Sequence, residues 1–152
     1  MRYLLVDAHS VIFAWPELRS LHAKRMALAR EELIKRLTHY QDVSEYRVVA
    51  VFDGQGPKNS ASAVTGGIQV FYSSTQHTAD SIIERLVAKY GQEHDLTVVT
   101  NDHLEQQTAT TFGAIAIPVV SEHSKCTTNV RNRVGSKCTT LRGAAVSRLM
   151  LV

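Results

Sequence analysis

The chain has 152 residues, a length that suits one domain with a buried core. At 44% hydrophobic and 20% charged residues its composition is that of an ordinary globular protein, and no apolar run approaches the roughly 18 residues of a membrane helix. The formal net charge of +3 is unevenly placed: residues 1–117 carry 11 Lys/Arg against 13 Asp/Glu, and residues 118–152 carry 6 against the single acid Glu122. The basic balance therefore belongs to the tail and is no argument that the folded part binds nucleic acid.

Residues 2–6 form a short apolar run, expected to be a buried first strand, and it ends on Asp7. An acid so near the start does not suit a secretory leader, so a cytoplasmic protein is the expectation. Trp15-Pro16 marks a turn. Over residues 21–40, Met26, Leu33, Leu37 and Tyr40 recur at helical spacing, with Lys24, Arg25, Arg30, Lys35 and Arg36 on the other face. The valine-rich residues 47–52 read as the second strand, running into Asp53-Gly54. A loop of small residues is expected over 54–67, with Lys58 its only charge, followed by a third strand over 68–72. Thr78 is a candidate N-cap for a helix reaching about Tyr90, striped by Ile82, Ile83, Leu86 and Val87. A fourth strand over 96–100, a short helix over 104–111 and a fifth strand over 114–117 complete the pattern. Strands alternating with helices predict an α/β fold, a three-layer α/β/α sandwich with a mostly parallel central sheet.

Past Pro118 the pattern changes. Ser124-Lys-Cys-Thr-Thr128 recurs as Ser136-Lys-Cys-Thr-Thr140, without amphipathic periodicity. The spacing of Cys126 and Cys138 fits neither a compact metal knuckle nor a disulfide framework. Residues 1–117 are thus expected to form the domain. Residues 118–152 read as an atypical basic tail, a poorly ordered or non-native extension, with a basic interaction arm as the alternative.

Four acids punctuate this pattern: Asp7, Asp53 and Asp102 where strands end, and Asp80 just inside a helix. Each has a plain structural reading. Asp7 and Asp102 suit loops or helix caps, Asp53 a turn with Gly54, and Asp80 the favourable end of a helix dipole. Jointly they say more, because a parallel α/β sheet gathers strand ends at one edge. Two like charges about 4 Å apart cost roughly 4 kcal/mol at the effective dielectric near a protein surface. A hard cation relieves that, and Mg2+ or Mn2+ suits an all-oxygen site. The pattern points to a metal-dependent enzyme acting on phosphate esters. Glu84, one helical turn after Asp80, is either a fifth acid or an ordinary exposed helix residue.

Several stretches resemble the YacP-like NYN nucleases of the PIN-like superfamily. They are Leu4-Leu5-Val6-Asp7, Ala14-Trp15-Pro16-Glu17-Leu18, Ala29-Arg30-Glu31-Glu32-Leu33, Val51-Phe52-Asp53-Gly54, Thr78-Ala79-Asp80-Ser81-Ile82-Ile83-Glu84-Arg85-Leu86 and Val98-Val99-Thr100-Asn101-Asp102, continued by Glu105-Gln106 and Gly113-Ala114. The resemblance implies a divalent-metal-dependent endoribonuclease whose cation is held by Asp7, Asp53, Asp80 and Asp102. Ser10, Glu84, Thr100 and Asn101 would orient those carboxylates, and Arg30, Lys58 and Arg85 would touch the RNA backbone unless they are simply solvated. RNA is the implied partner, ribosome-associated mRNA one candidate, and no membrane is involved. The family usually follows its first aspartate with Gly-Tyr-Asn, whereas this chain has Ala8-His9-Ser10. Ser10 lacks the amide's simultaneous donor and acceptor, and His9 is either a loop residue or one that stacks on a base or meets a phosphate. Two other classes compete: a catalytically weak RNA-binding or ribosome-associated adaptor of the same fold, and an aspartyl-nucleophile phosphohydrolase. The latter usually has a second aspartate where His9 stands.

Overall fold

Hydrophobic alternation along the first strand sets the layers. The computed structural model describes residues 1–54, 62–65 and 67–119, the segment 62–65 by its backbone. In β1 (Arg2–Asp7) the side chains of Leu4 and Val6 enter one core, while Leu5 enters another on the opposite face. The first core is closed by α1 (Ala8–Ala14), α2 (Pro16–Lys24) and α3 (Met26–Val43), which bury Val11, Leu18, Leu33 and Leu37 against the sheet. Next come β2 (Tyr46–Phe52), β3 (Ser62–Thr65) and β4 (Ile68–Tyr72). The chain then forms α4 (Ala79–Tyr90), β5 (Asp95–Val99), α5 (His103–Thr111) and β6 (Ile115–Ile117). Helices α4 and α5 cover the second face, with Ile83, Val87 and Ala109 buried there.

The sheet order is β3-β4-β2-β1-β5-β6. β1 lies parallel to both neighbours, Leu4 opposite Val48 of β2 and Thr97 of β5; the β2–β4 and β5–β6 pairs are parallel too. From β1 the chain builds outward through β2 and β4, then returns to the other side of β1 with β5. That reversal opens a crevice at the carboxyl ends of the central strands, the usual ligand position in such sheets. No helix among the described residues is long and apolar enough to cross a membrane.

The α/β/α sandwich is as expected, and three local readings are corrected. The loop expected over 54–67 contains β3, an antiparallel edge strand pairing Thr65 with Ile68. The helix expected over 21–40 is two helices: Arg25 adopts φ −160° and ψ 120°, which restarts the helix at Met26. The inward stripe of α3 is consequently Ala29, Leu33, Leu37 and Tyr40, and Met26, expected inside, is 46% exposed. The turn at Trp15-Pro16 links α1 to α2, since Pro16 occupies a first helical position, where its missing N–H costs nothing. Lys58, both cysteines and the Ser-Lys-Cys-Thr-Thr repeat lie outside the described residues.

Candidate active site

Three helices begin where the central strands end. Asp7 caps α1, its Oδ1 accepting from the His9 N–H at 3.1 Å, and Asp102 caps α5, its Oδ1 accepting from the Leu104 N–H at 2.8 Å. Thr78 caps α4 by accepting from the Ser81 N–H at 3.2 Å, which places Asp80 in the first turn. Asp53 follows the last residue of β2. All four aspartates, with His9, Ser10, Thr78 and Ala79, line one cleft of about 330 Å³. The structural readings of Asp7, Asp80 and Asp102 are therefore correct, and they are also how the fold aims these carboxylates at one place.

Asp7 is the buried member, 6% exposed. Its Oδ2 accepts from the Ser10 hydroxyl at 2.6 Å and from the Thr100 hydroxyl at 3.2 Å. Ser10 Oγ also accepts from the Asn101 N–H at 3.0 Å, and Thr100 Oγ1 accepts from the Asp102 N–H at 3.1 Å. Two hydroxyls thus tie the end of β1 to the turn after β5. Ser10 does act as donor and acceptor at once, towards different partners. Asn101 turns away from the aspartates, its Oδ1 accepting from the Val119 N–H at 2.8 Å. Ser10 and Thr100 thus lie against Asp7, whereas Asn101 pins the chain leaving β6.

Asp53 is fixed from the other side. Its Oδ1 accepts from the Ser73 hydroxyl at 2.8 Å, and that hydroxyl accepts from the Gly54 N–H at 2.7 Å. Arg30 reaches across from α3 to donate to the Asp53 carbonyl at 2.7 Å, with its guanidinium 5.8 Å from the Phe52 ring centroid and 5.5 Å from that of Tyr72. Arg30, expected to touch RNA, is thereby a brace of the site. Glu84 and Arg85 are exposed on α4 and are not on the cleft wall.

Glu105, in the family-like pair Glu105-Gln106, is a further acid beside the site. It shares the inward stripe of α5 with Ala109 and is 4% exposed, with Oε2 buried and without a hydrogen-bond partner. Burial, above all, pushes its pKa up to about 8, and the neighbouring Asp80 and Asp7 carboxylates add to the shift; the nearby Thr100 hydroxyl works against it. Its sequence position, three residues after a capping aspartate, reads as a capping box. The signal that distinguishes it is helical phase, because it falls in register with Ala109.

The donor set suits a hard divalent cation: oxygen ligands and clustered negative charge on one cleft. Among the described residues no three acidic, histidine or cysteine side chains stand together as a ready-made ligand set for one ion. Four aspartates closing directly on one cation is thus not the arrangement present. One or two carboxylates with water completing the sphere is a usual magnesium mode and remains compatible.

Residues 4–143 match the YacP-like NYN domain family. The chain is 34% identical over 108 residues to the uncharacterised protein YacP of Bacillus subtilis, covering 70% of this chain and 64% of that one. It therefore spans less than two thirds of that relative's length. The fold resembles two crystal structures of Rae1 (YacP) from Bacillus subtilis. One, of the protein itself, has a TM-score of 0.66 at 32% identity, over 78% of this chain and 69% of the other. The second, of a tryptophan-to-leucine mutant, has a TM-score of 0.63 at 31% identity, over 76% and 68%.

Proposed function

The chain belongs to the YacP-like NYN family, a nuclease-type family with a PIN-like fold, and from that premise we propose that it is a divalent-metal-dependent endoribonuclease. The convergence of Asp7, Asp53, Asp80 and Asp102 on one cleft carries the reading. Such a cleft repels a polyanion by itself, so its chemistry with a phosphodiester requires a cation. Bound Mg2+ or Mn2+ would polarise a phosphoryl oxygen and stabilise the charge that develops as the ester bond breaks. Asp53, Asp80 and Asp102 are exposed to the cleft, and the hydrogen bonds described for Asp53 and Asp102 each engage only one carboxylate oxygen. These three would hold the ion, directly or through water. Asp7, with both oxygens engaged, is a fixed negative charge that orients the group around it. Asp80 or Asp102 accepts the proton of the attacking water, and Glu105, protonated at neutral pH, limits the charge at the back of the site. RNA, including ribosome-associated mRNA, is the proposed substrate and the cytoplasm the proposed compartment.

The test is internal cleavage of a generic RNA by the full chain, with and without Mg2+ or Mn2+. Cleavage should vanish with a chelator and fall by about a hundredfold or more in Asp102→Asn and Asp80→Asn, the scale of losing one electrostatic contribution of several kcal/mol. Tight RNA binding with no turnover under any divalent ion would turn the reading to an adaptor of the same fold.

A further inference from the structure

The ring of His9, on the wall of the acidic cleft, is the first of three aromatic side chains packed in a row. Its centroid lies 4.5 Å from that of Phe13, with the planes 38° apart, and Phe13 lies 5.1 Å from His22 at 59°. Helical geometry builds the row. Residues four apart share a face of α1, and four steps of 1.5 Å carry the row about 6 Å away from the cleft wall. The chain then reverses at Trp15 and α2 brings His22 alongside. On α1 the side chains of Val11 and Ile12 are buried, whereas His9 is exposed and Phe13 keeps 42% of its surface open despite a ring on either side. The row is a wetted aromatic strip rather than a piece of core.

We propose that this strip is a stacking platform for the bases of a single-stranded nucleic acid whose backbone crosses the acidic cleft. The identity of the ligand rests on the ribonuclease reading; the platform itself rests on the ring geometry. Aromatic side chains beside cationic groups are the general device for holding single strands, because every base presents a π face. The strip is continuous with the cleft through His9. The cleft supplies negative charge, so attraction for a strand must come from beside it. Arg19 is exposed and lies about one helical turn before His22 on α2, a position from which its cation can reach a strand laid on the strip. One phenyl and two imidazoles are too small a surface to dock a folded protein, which needs about 800 Å² from each partner, but they match the size of one or two bases.

The experiment uses the full chain and short single-stranded RNAs carrying 2-aminopurine at each position in turn, with Ca2+ in place of Mg2+ so that binding is read apart from cleavage. Binding should quench the probe at one or two adjacent positions. Phe13→Leu, which keeps an apolar side chain but removes the ring, should abolish that quenching and weaken binding about 5- to 150-fold, the range for loss of one stacked base. Phe13→Trp should retain the quenching. Against an RNA with an abasic residue at the quenched position, wild type and Phe13→Leu should bind equally. Quenching that survives in Phe13→Leu overturns the platform, as does an equal loss of affinity on the abasic strand, or no binding at all. Cleavage with Mg2+, measured in parallel, separates the two readings: Phe13-dependent quenching without turnover sinks the nuclease alone, and turnover without it sinks the platform alone.

Discussion

Glu105 sits 4% exposed beside the carboxylates of Asp80 and Asp7, and its proton makes that position tolerable. The consequence for stability has a definite sign. Its pKa is raised from 4.5 to about 8, so between those values the folded chain keeps a proton that the unfolded chain has lost. Stability is then greatest below about pH 4.5 as far as this group is concerned, falls as pH rises, and levels off above about 8, with a slope of up to about 1.4 kcal/mol per pH unit. Glu105→Gln should flatten that decline when urea midpoints are followed from acid to mildly alkaline pH in a chelator. Parallel profiles for the two proteins would mean that Glu105 is already ionised in the fold. At this scale the sequence revealed the aspartates, because Asp7, Asp53 and Asp102 interrupt or end apolar runs. Ser73 left no such trace, since nothing marks one serine among many as the donor to Asp53. Glu105 was hidden by its resemblance to half of a capping box.

Between elements, the corner after β2 depends on a glycine. Gly54 has φ +95°, a conformation that L side chains rarely adopt, and a Cβ there would lie 2.9 Å from Nη2 of Arg30. The same guanidinium nitrogen holds the Asp53 carbonyl, so α3, β2 and the start of the β4–α4 connection meet at this point. Gly54→Ala should cost about 1–3 kcal/mol, part from the backbone and part from displacing Arg30. In an Arg30→Ala background the cost should shrink towards the backbone part alone, a double-mutant cycle read by chemical denaturation. Additive costs would show that the arginine yields freely. Elements with a strong apolar phase were legible: α4 buries Ile83 and Val87 as its stripe demands. The interruption at Arg25 was not, because neither glycine nor proline marks it. β3 was missed because Ser62-Ala63-Val64-Thr65 lies among small residues, and pairing with β4 rather than local preference makes it a strand.

For the whole molecule, the legible part was the sandwich and the common edge of its acids. The reversal from β4 back to the far side of β1 was not, since strand order is set by long-range packing that one-dimensional periodicity does not encode. That reversal brings carboxyl groups from β1, α4 and α5 and from the end of β2 into one region, where each adds repulsion only once the chain is folded. A cation bound at this cleft therefore has no counterpart in the unfolded chain, and its binding energy appears as folding energy. Mg2+ or Mn2+ at a hundredfold excess over its Kd should stabilise the protein by about 2.7 kcal/mol, seen as a rise in thermal midpoint of several degrees. The rise should be larger near pH 8 than near pH 6, because protons compete with the cation for carboxyl oxygens and Glu105 titrates in that interval. Asp80→Asn should reduce the cation-induced rise, yet raise the midpoint measured in chelator, because one repelling charge has gone. A midpoint indifferent to divalent ions at both pH values would leave the cleft an acidic hydrogen-bonding hub, and the cation would have to be removed from the mechanism.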